Sequence, residues 1–428
     1  RRYEVLEQLG RAGEAYRSHI YERGFSGQRE TLAISKVREL FADCLPVLER
    51  SIRENQREDG LFHAYNRVRI ASGEASLIRL DEMLEGQVAV LSAKVLSADE
   101  SLQVLTALRQ SALYTARQNT YLLYPEKTLA RFAEKNQLPA DVMEEMPLIA
   151  RLVDSGNTEI IESDASGSLY FSGALTKRED IESALADLSG RGMVCSPEER
   201  EQLAQLFVDT FAHDLFTGRS GGMYAYEGIG SIYWHMVSKL LLAVSEVVVD
   251  AHREEASSQT LVALKAAYED VRGGIGFNKS PDEYGAFPTD PYSHTPGFAG
   301  AKQPGMTGQV KEEVLTRLVE LGVTVRGGVI AFEPPLLRVQ EFLHTPATLD
   351  YFDVSGKPQT VALDAGQMGF TFCQVPVVLQ QGDVASIVVR DNTGADNAVS
   401  GNALSEAISH SIFMKRGQVN QLTVTVAR

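Results

Sequence analysis

A threonine–glycine pair, Thr307–Gly308, closes a long Gly/Pro-rich stretch that starts at Tyr284. Helical spacing follows it as far as Gly322. A helix opened in this way presents unpaired backbone N–H groups and the positive end of its dipole. Glycine adds no Cβ, so a ligand can approach the backbone closely. The chemistry this suits is capture of an oxyanion; the competing reading is an ordinary N-cap threonine. His235 is the second candidate, following Tyr233 and Trp234 at the head of a long apolar pattern. An imidazole donates to an anion and gains a proton near neutral pH, whereas a core histidine is satisfied by its neighbours. Gly228, Gly230, Tyr224 and Tyr226 precede it and suggest a helix end opening on a cleft. Trp234, Tyr226 and Tyr233 carry flat faces able to stack on sugar rings, with core packing as the alternative.

Carboxylates come next. Asp81 and Glu85 stand four apart on one helical face, with Gln87 nearby. Together they could hydrogen-bond sugar hydroxyls; a solvated, ion-paired face is the rival reading. His294, in the run Tyr292-Ser-His-Thr-Pro, either shapes a site wall or braces its loop, and His63 is a weaker candidate of the same kind. No Cys or His spacing suggests a metal site, so none is expected.

These residues must be positioned by helices. Residues 1 to about 270 carry apolar positions at helical period, as in Val37 to Ile52, interrupted by Pro46, and in Leu80 to Ser92. Ser97-Ala-Asp-Glu and Ser196-Pro-Glu-Glu are capping-box openings. Ser231 to Val249 predicts a long helix buried on most sides. Long loops are expected at 24–29, 117–127, 164–173 and 218–230. Helices paired into a toroid with functional loops at one end fit this pattern, and no fixed-period repeat favours a solenoid. After Gly322 the pattern becomes short β-branched and aromatic runs between turn residues, such as Phe370–Leu379 and Ala385–Arg390. The expected organisation is mainly α over 1–322, then an antiparallel β-sandwich over 323–428.

A length of 428 residues with 44% hydrophobic and 23% charged residues fits a soluble globular protein with a sizeable core. The net charge of −16 argues against nucleic-acid and anionic-membrane partners. Three widely separated cysteines make no disulfide framework, so a reducing, cytoplasmic setting is expected. No apolar run has the length of a membrane span.

Several ordered segments resemble the disaccharide phosphorylases of the cellobiose phosphorylase-like glycoside hydrolase group. They are Asp81–Ser92, Asn119–Pro125, Gly230–His235, Asp290–Pro296, Pro304–Gly308 and Leu321–Pro335. The resemblance covers most of 75–340. It implies an (α/α)6 barrel, here incomplete, followed by a jelly-roll-like domain. The implied activity is phosphorolysis of a β-linked gluco-oligosaccharide or disaccharide with inversion. Inorganic phosphate is then the co-substrate, with no other cofactor. The resemblance makes His235, Thr307 and Gly308 phosphate ligands, and Trp234, Tyr226, Gln87, Glu85 and His294 substrate contacts. The family's Trp-Asn-Asp-Gly-type acid motif is missing, and so are its N-terminal domain and earlier helices. The general acid is therefore expected upstream of residue 1, and the chain is expected to be a C-terminal portion that is inactive alone. It would associate with the remaining N-terminal part or form a homodimer. The stretch from Lys127 to Cys195 reads as an insertion without a counterpart. Two rival readings remain open. One is a β-glucan hydrolase on the same barrel, which needs a second carboxylate to activate water. The other is a non-catalytic carbohydrate-binding or scaffold subunit.

Overall fold

The computed structural model describes residues 2–71, 73–126, 128, 130–211, 230–284, 292–296, 303–304 and 309–427. They fall into two compact units: residues 1–125 with 230–428, and residues 126–229.

The first unit starts with two helices, α1 (Arg2–Arg23) and α2 (Ile34–Arg53), followed by a hairpin of β1 (Asn66–Ala71) and β2 (Glu74–Arg79). Helices α3 (Leu84–Ser92) and α4 (Ala98–Gln110) come next, then the short pair β3 (Tyr114–Thr115) and β4 (Thr120–Tyr121). The expected capping box opens α4: Ser97 Oγ accepts from Glu100 N–H, and the Glu100 carboxylate accepts from Ser97 N–H. α2 runs through Pro46 with Ile34, Leu40, Phe41, Leu45 and Leu48 all exposed.

The second unit contains α5 (Phe132–Lys135), α6 (Val142–Glu145), α7 (Pro147–Asp154), the hairpin β5 (Ile161–Ser163) and β6 (Leu169–Phe171), α8 (Arg178–Gly190) and α9 (Pro197–Phe211). Its core is its own: Leu148, Ile149, Leu152, Ile181, Leu185 and Leu203 are fully buried. Phe171 meets Phe207 edge-on at 5.1 Å, and Phe207 lies 4.8 Å from Phe211. The stretch 164–173, expected as a loop, holds β6 and the turn before it. Ser196 and Glu199 cap α9 reciprocally, as their spacing predicts.

The chain re-enters the first unit beside the point where it left. Leu123 N–H donates to Ser231 C=O (2.8 Å), and Gly230 N–H donates to Tyr124 C=O (3.3 Å). After β7 (Ser231–Tyr233) comes α10 (Trp234–Arg253), the hub of the unit. It packs on α3, α4, α11 (Ser258–Gly273) and α13 (Gln309–Glu320). Val237, Leu240, Val244 and Val248 are all at 0% exposure, each contributing roughly 1.5–3 kcal/mol of burial. Between α11 and α13 lie α12 (Pro281–Tyr284), β8 (Tyr292–Pro296) and β9 (Gln303–Pro304), with β8 pairing on β7.

α13 stops at Gly322, whose φ of +76° suits glycine. A Cβ there would lie 2.4 Å from Pro334 N, so the close approach of the next segment also requires glycine. The remaining strands are β10 (Val323–Arg326), β11 (Val329–Phe332), β12 (Ala347–Phe352), β13 (Pro358–Leu363), β14 (Gln367–Phe372), β15 (Val375–Gly382), β16 (Ser386–Asp391), β17 (Asp396–Ser400) and β18 (Val419–Ala427), with α14 (Glu406–Phe413) before the last. Five of them form one sheet in the order β14-β15-β18-β16-β17. The antiparallel expectation meets one exception, because β15 and β18 run parallel. Residues Val375–Leu379 are buried in unbroken succession, the signature of a strand covered on both faces rather than of an alternating one.

One turn recurs three times: Asp164-Ala-Ser-Gly, Asp353-Val-Ser-Gly and Asp391-Asn-Thr-Gly. In each, the aspartate Oδ1 accepts from the N–H and the hydroxyl of the Ser or Thr two residues on, and from the N–H four residues on. The glycine then takes positive φ.

Candidate functional site

The head of α10 gathers the most chemistry. β7 delivers the chain so that Trp234 starts the helix and His235 sits in its first turn. Tyr233 Oη lies 3.3 Å from His235 Nδ1, with the two rings edge to face. On the other side of the ring, His235 Nε2 lies 3.4 Å from Oε1 of Glu312 on α13. The same oxygen is 3.3 Å from the exposed Lys311 ammonium. His235 is mostly covered, and burial is the largest influence on it, pushing its pKa below the ordinary histidine value. Glu312 acts against that shift, while Lys239 and Lys311 reinforce it.

α13 turns an unusual side inward. Its buried stripe is Glu312, Thr316 and Glu320, at four-residue intervals, while Val310, Val314 and Leu315 are exposed. An amphipathic reading of this sequence would place the helix the other way round. Glu320 is fully engaged: Tyr268 Oη, Arg272 Nε and Arg317 donate to its carboxylate, which holds its pKa down against burial. Thr316 Oγ1 is buried without a hydrogen-bond partner among the described residues. Further along α10, Glu246 has its pKa raised, chiefly by burial. The buried carboxylates of α13 thus face two helices, Glu312 meeting His235 of α10 and Glu320 meeting Tyr268 and Arg272 of α11.

Of the residues expected at the site, His235 meets Glu312. Thr307, Gly308 and Tyr226 lie outside the described residues; the helix that Thr307 and Gly308 were expected to open is described from Gln309. His294 is brought close by its backbone, since β8 sets it opposite Tyr233 in the β7 ladder. Trp234 is completely buried and packs on Tyr284 at 4.7 Å between ring centres, a core position with no face open to a ligand. Gln87 is also completely buried. Its carboxamide oxygen accepts from Phe62 N–H (2.9 Å), and its amide group donates to the carbonyls of Phe62 (2.8 Å) and Met83 (3.0 Å). Gly86 next to it lets α3 close on this segment, for a Cβ would meet Ala64 and the Phe62 carbonyl at 3.1 Å. Gln87 therefore braces the 60–64 segment. Glu85 is half-buried on α3 and Asp81 is exposed. His63 Nδ1 contacts the Leu80 carbonyl at 3.0 Å, a loop brace.

Sequence reasoning missed Glu312. Between Lys311 and Glu313 it reads as part of a solvated face. The only signal was its place four residues before Thr316 and eight before Glu320. Among the described residues, no cluster of His, Cys, Asp or Glu is arranged to hold a metal ion, and no helix is long and apolar enough to cross a membrane.

Residues 129–214 match the family model described as GH149 phosphorylase insertion domain 2. The match lies wholly within the second compact unit, residues 126–229. That unit is therefore similar to an inserted domain of a phosphorylase family, and the match covers most of the stretch from Lys127 to Cys195 that was expected to be an insertion. No curated protein matches the chain.

Proposed function

We propose that this protein is a glycoside phosphorylase that binds inorganic phosphate at the head of α10. The observation that carries the reading is the pairing of two features. A unit similar to a phosphorylase insertion domain interrupts the chain. At Gly230 the chain returns and leads straight into His235 and its carboxylate partner. The substrate class is a β-linked gluco-oligosaccharide, and the helices of the first unit belong to an (α/α) toroid.

In the proposed reaction His235, with Thr307 and the Gly308 amide, holds phosphate. A phosphate oxygen attacks the anomeric carbon as the glycosidic C–O bond breaks. A carboxylic acid gives its proton to the departing oxygen, and the product is a sugar 1-phosphate of inverted configuration. Phosphate supplies the nucleophile, so a single acid suffices where hydrolysis needs two carboxylates. The reading assigns that acid to none of the described residues. His294 and Glu85 remain proposed sugar contacts, and Tyr226 completes the set. Trp234 and Gln87 are not carried forward.

The test is a crystal of the full chain soaked in phosphate with a β-linked gluco-oligosaccharide. The expected result is phosphate within hydrogen-bond distance of the His235 ring, with a sugar beside it. Phosphate bound elsewhere with the α10 head empty would overturn the reading.

A further inference from the structure

Both nitrogens of the His235 ring are already engaged, and that constrains how it can hold an anion. A neutral imidazole carries one N–H. With a buried carboxylate on Nε2, the proton belongs there, leaving Nδ1 as the acceptor of the Tyr233 hydroxyl. Nδ1 in that state repels an anion. Only when the ring takes a second proton does Nδ1 become a donor. The charged groups facing the ring among the described residues are Glu312 and Lys311 from α13 and Lys239 from its own helix, with Tyr233 from β7. Of these, Glu312 alone favours the cation, and its side chain is only 6% exposed. At such burial its attraction for an imidazolium is weakly screened.

We propose that Glu312 is a positioning residue for His235: its carboxylate holds the Nε2 proton and leaves Nδ1, where the Tyr233 hydroxyl sits, to take the second proton, so that anion capture takes up a proton. The proposal rests on the phosphate reading for the identity of the anion, but not for the state of the ring. Oxyanion affinity should therefore fall as pH rises through the titration midpoint of His235. Glu312 sets where that fall occurs.

The experiment follows the His235 ring by ¹⁵N NMR in the full chain, across pH, and measures binding of sulfate and phosphate by calorimetry. Sulfate keeps one charge state throughout and so isolates the protein's proton. The variants are Glu312→Gln, which keeps shape and removes charge, and Glu312→Asp as the conservative rescue; circular dichroism checks their fold. In the wild type, the neutral ring should show the proton on Nε2. In Glu312→Gln the midpoint should drop by about one unit and sulfate affinity near neutral pH should fall about tenfold, with Glu312→Asp recovering most of both. A merely structural role would leave the tautomer and the midpoint where they are. An unchanged or raised midpoint in folded Glu312→Gln, or a wild-type neutral ring protonated on Nδ1, would overturn the proposal. If the midpoint drops as expected while the wild type binds neither anion, the pairing stands and the phosphate reading fails.

Discussion

Leu123 donates its backbone N–H to the carbonyl of Ser231 across 2.8 Å, although the whole of the 126–229 unit lies between them in the chain. A second bond from Gly230 to Tyr124 closes the same junction. The two ends of the inserted unit thus leave and return at one place in the first unit, the arrangement that tolerates insertion and removal of a domain.

Replacing residues 126–229 by a short Gly/Ser linker should therefore leave the first unit folded, with far-ultraviolet circular dichroism and a cooperative melt retained. Loop-closure entropy grows only slowly with length, so a linker of a few residues costs little. The excised unit, with its own buried Leu, Ile and Phe core, should fold alone and give a dispersed NMR spectrum. Loss of cooperative unfolding in the linker variant would refute the separation.

Gln87 provides a second prediction. Gln87→Leu leaves a buried N–H and C=O of Phe62 unpaired, which should cost about 2–3 kcal/mol in chemical denaturation. A sugar-contacting glutamine would behave differently, losing ligand affinity with stability unchanged.

Asp353 offers a pH signature. The Ser355 hydroxyl and the N–H groups of the turn hold its carboxyl down at about 2. A carboxyl depressed on folding stabilises the native state above its unfolded value, and the contribution is lost as pH falls through the folded one. Wild type should thus exceed Asp353→Asn in melting temperature at neutral pH. The gap should narrow below about pH 4 and vanish near pH 2. A gap independent of pH would mean that the charge of the turn aspartate is irrelevant.

Local rules read well from this sequence. Ser97 with Glu100, and Ser196 with Glu199, signalled helix starts because capping depends on residues four positions apart or fewer. The helix ending at Gly322 and the two strands after it follow the same logic. The hairpin of β1 and β2 was hidden by the helical patterns on either side, although the alternation of its strands was present. Trp234 and Gln87 look like ligand contacts until tertiary packing is known, since Tyr284 and Phe62, which engage them, are distant in sequence. The inward turn of Glu312, Thr316 and Glu320 reverses the amphipathic rule and could not be read from α13 alone. It depends on α10 supplying His235, and on α11 supplying Tyr268 and Arg272.

The most direct measurement is calorimetric titration of inorganic phosphate into the full chain and into His235→Gln at about pH 6. Binding by the wild type that weakens at least about tenfold in a folded His235→Gln is the predicted result. Equal affinity in the two proteins, or no binding by either, would contradict a phosphate site at the head of α10.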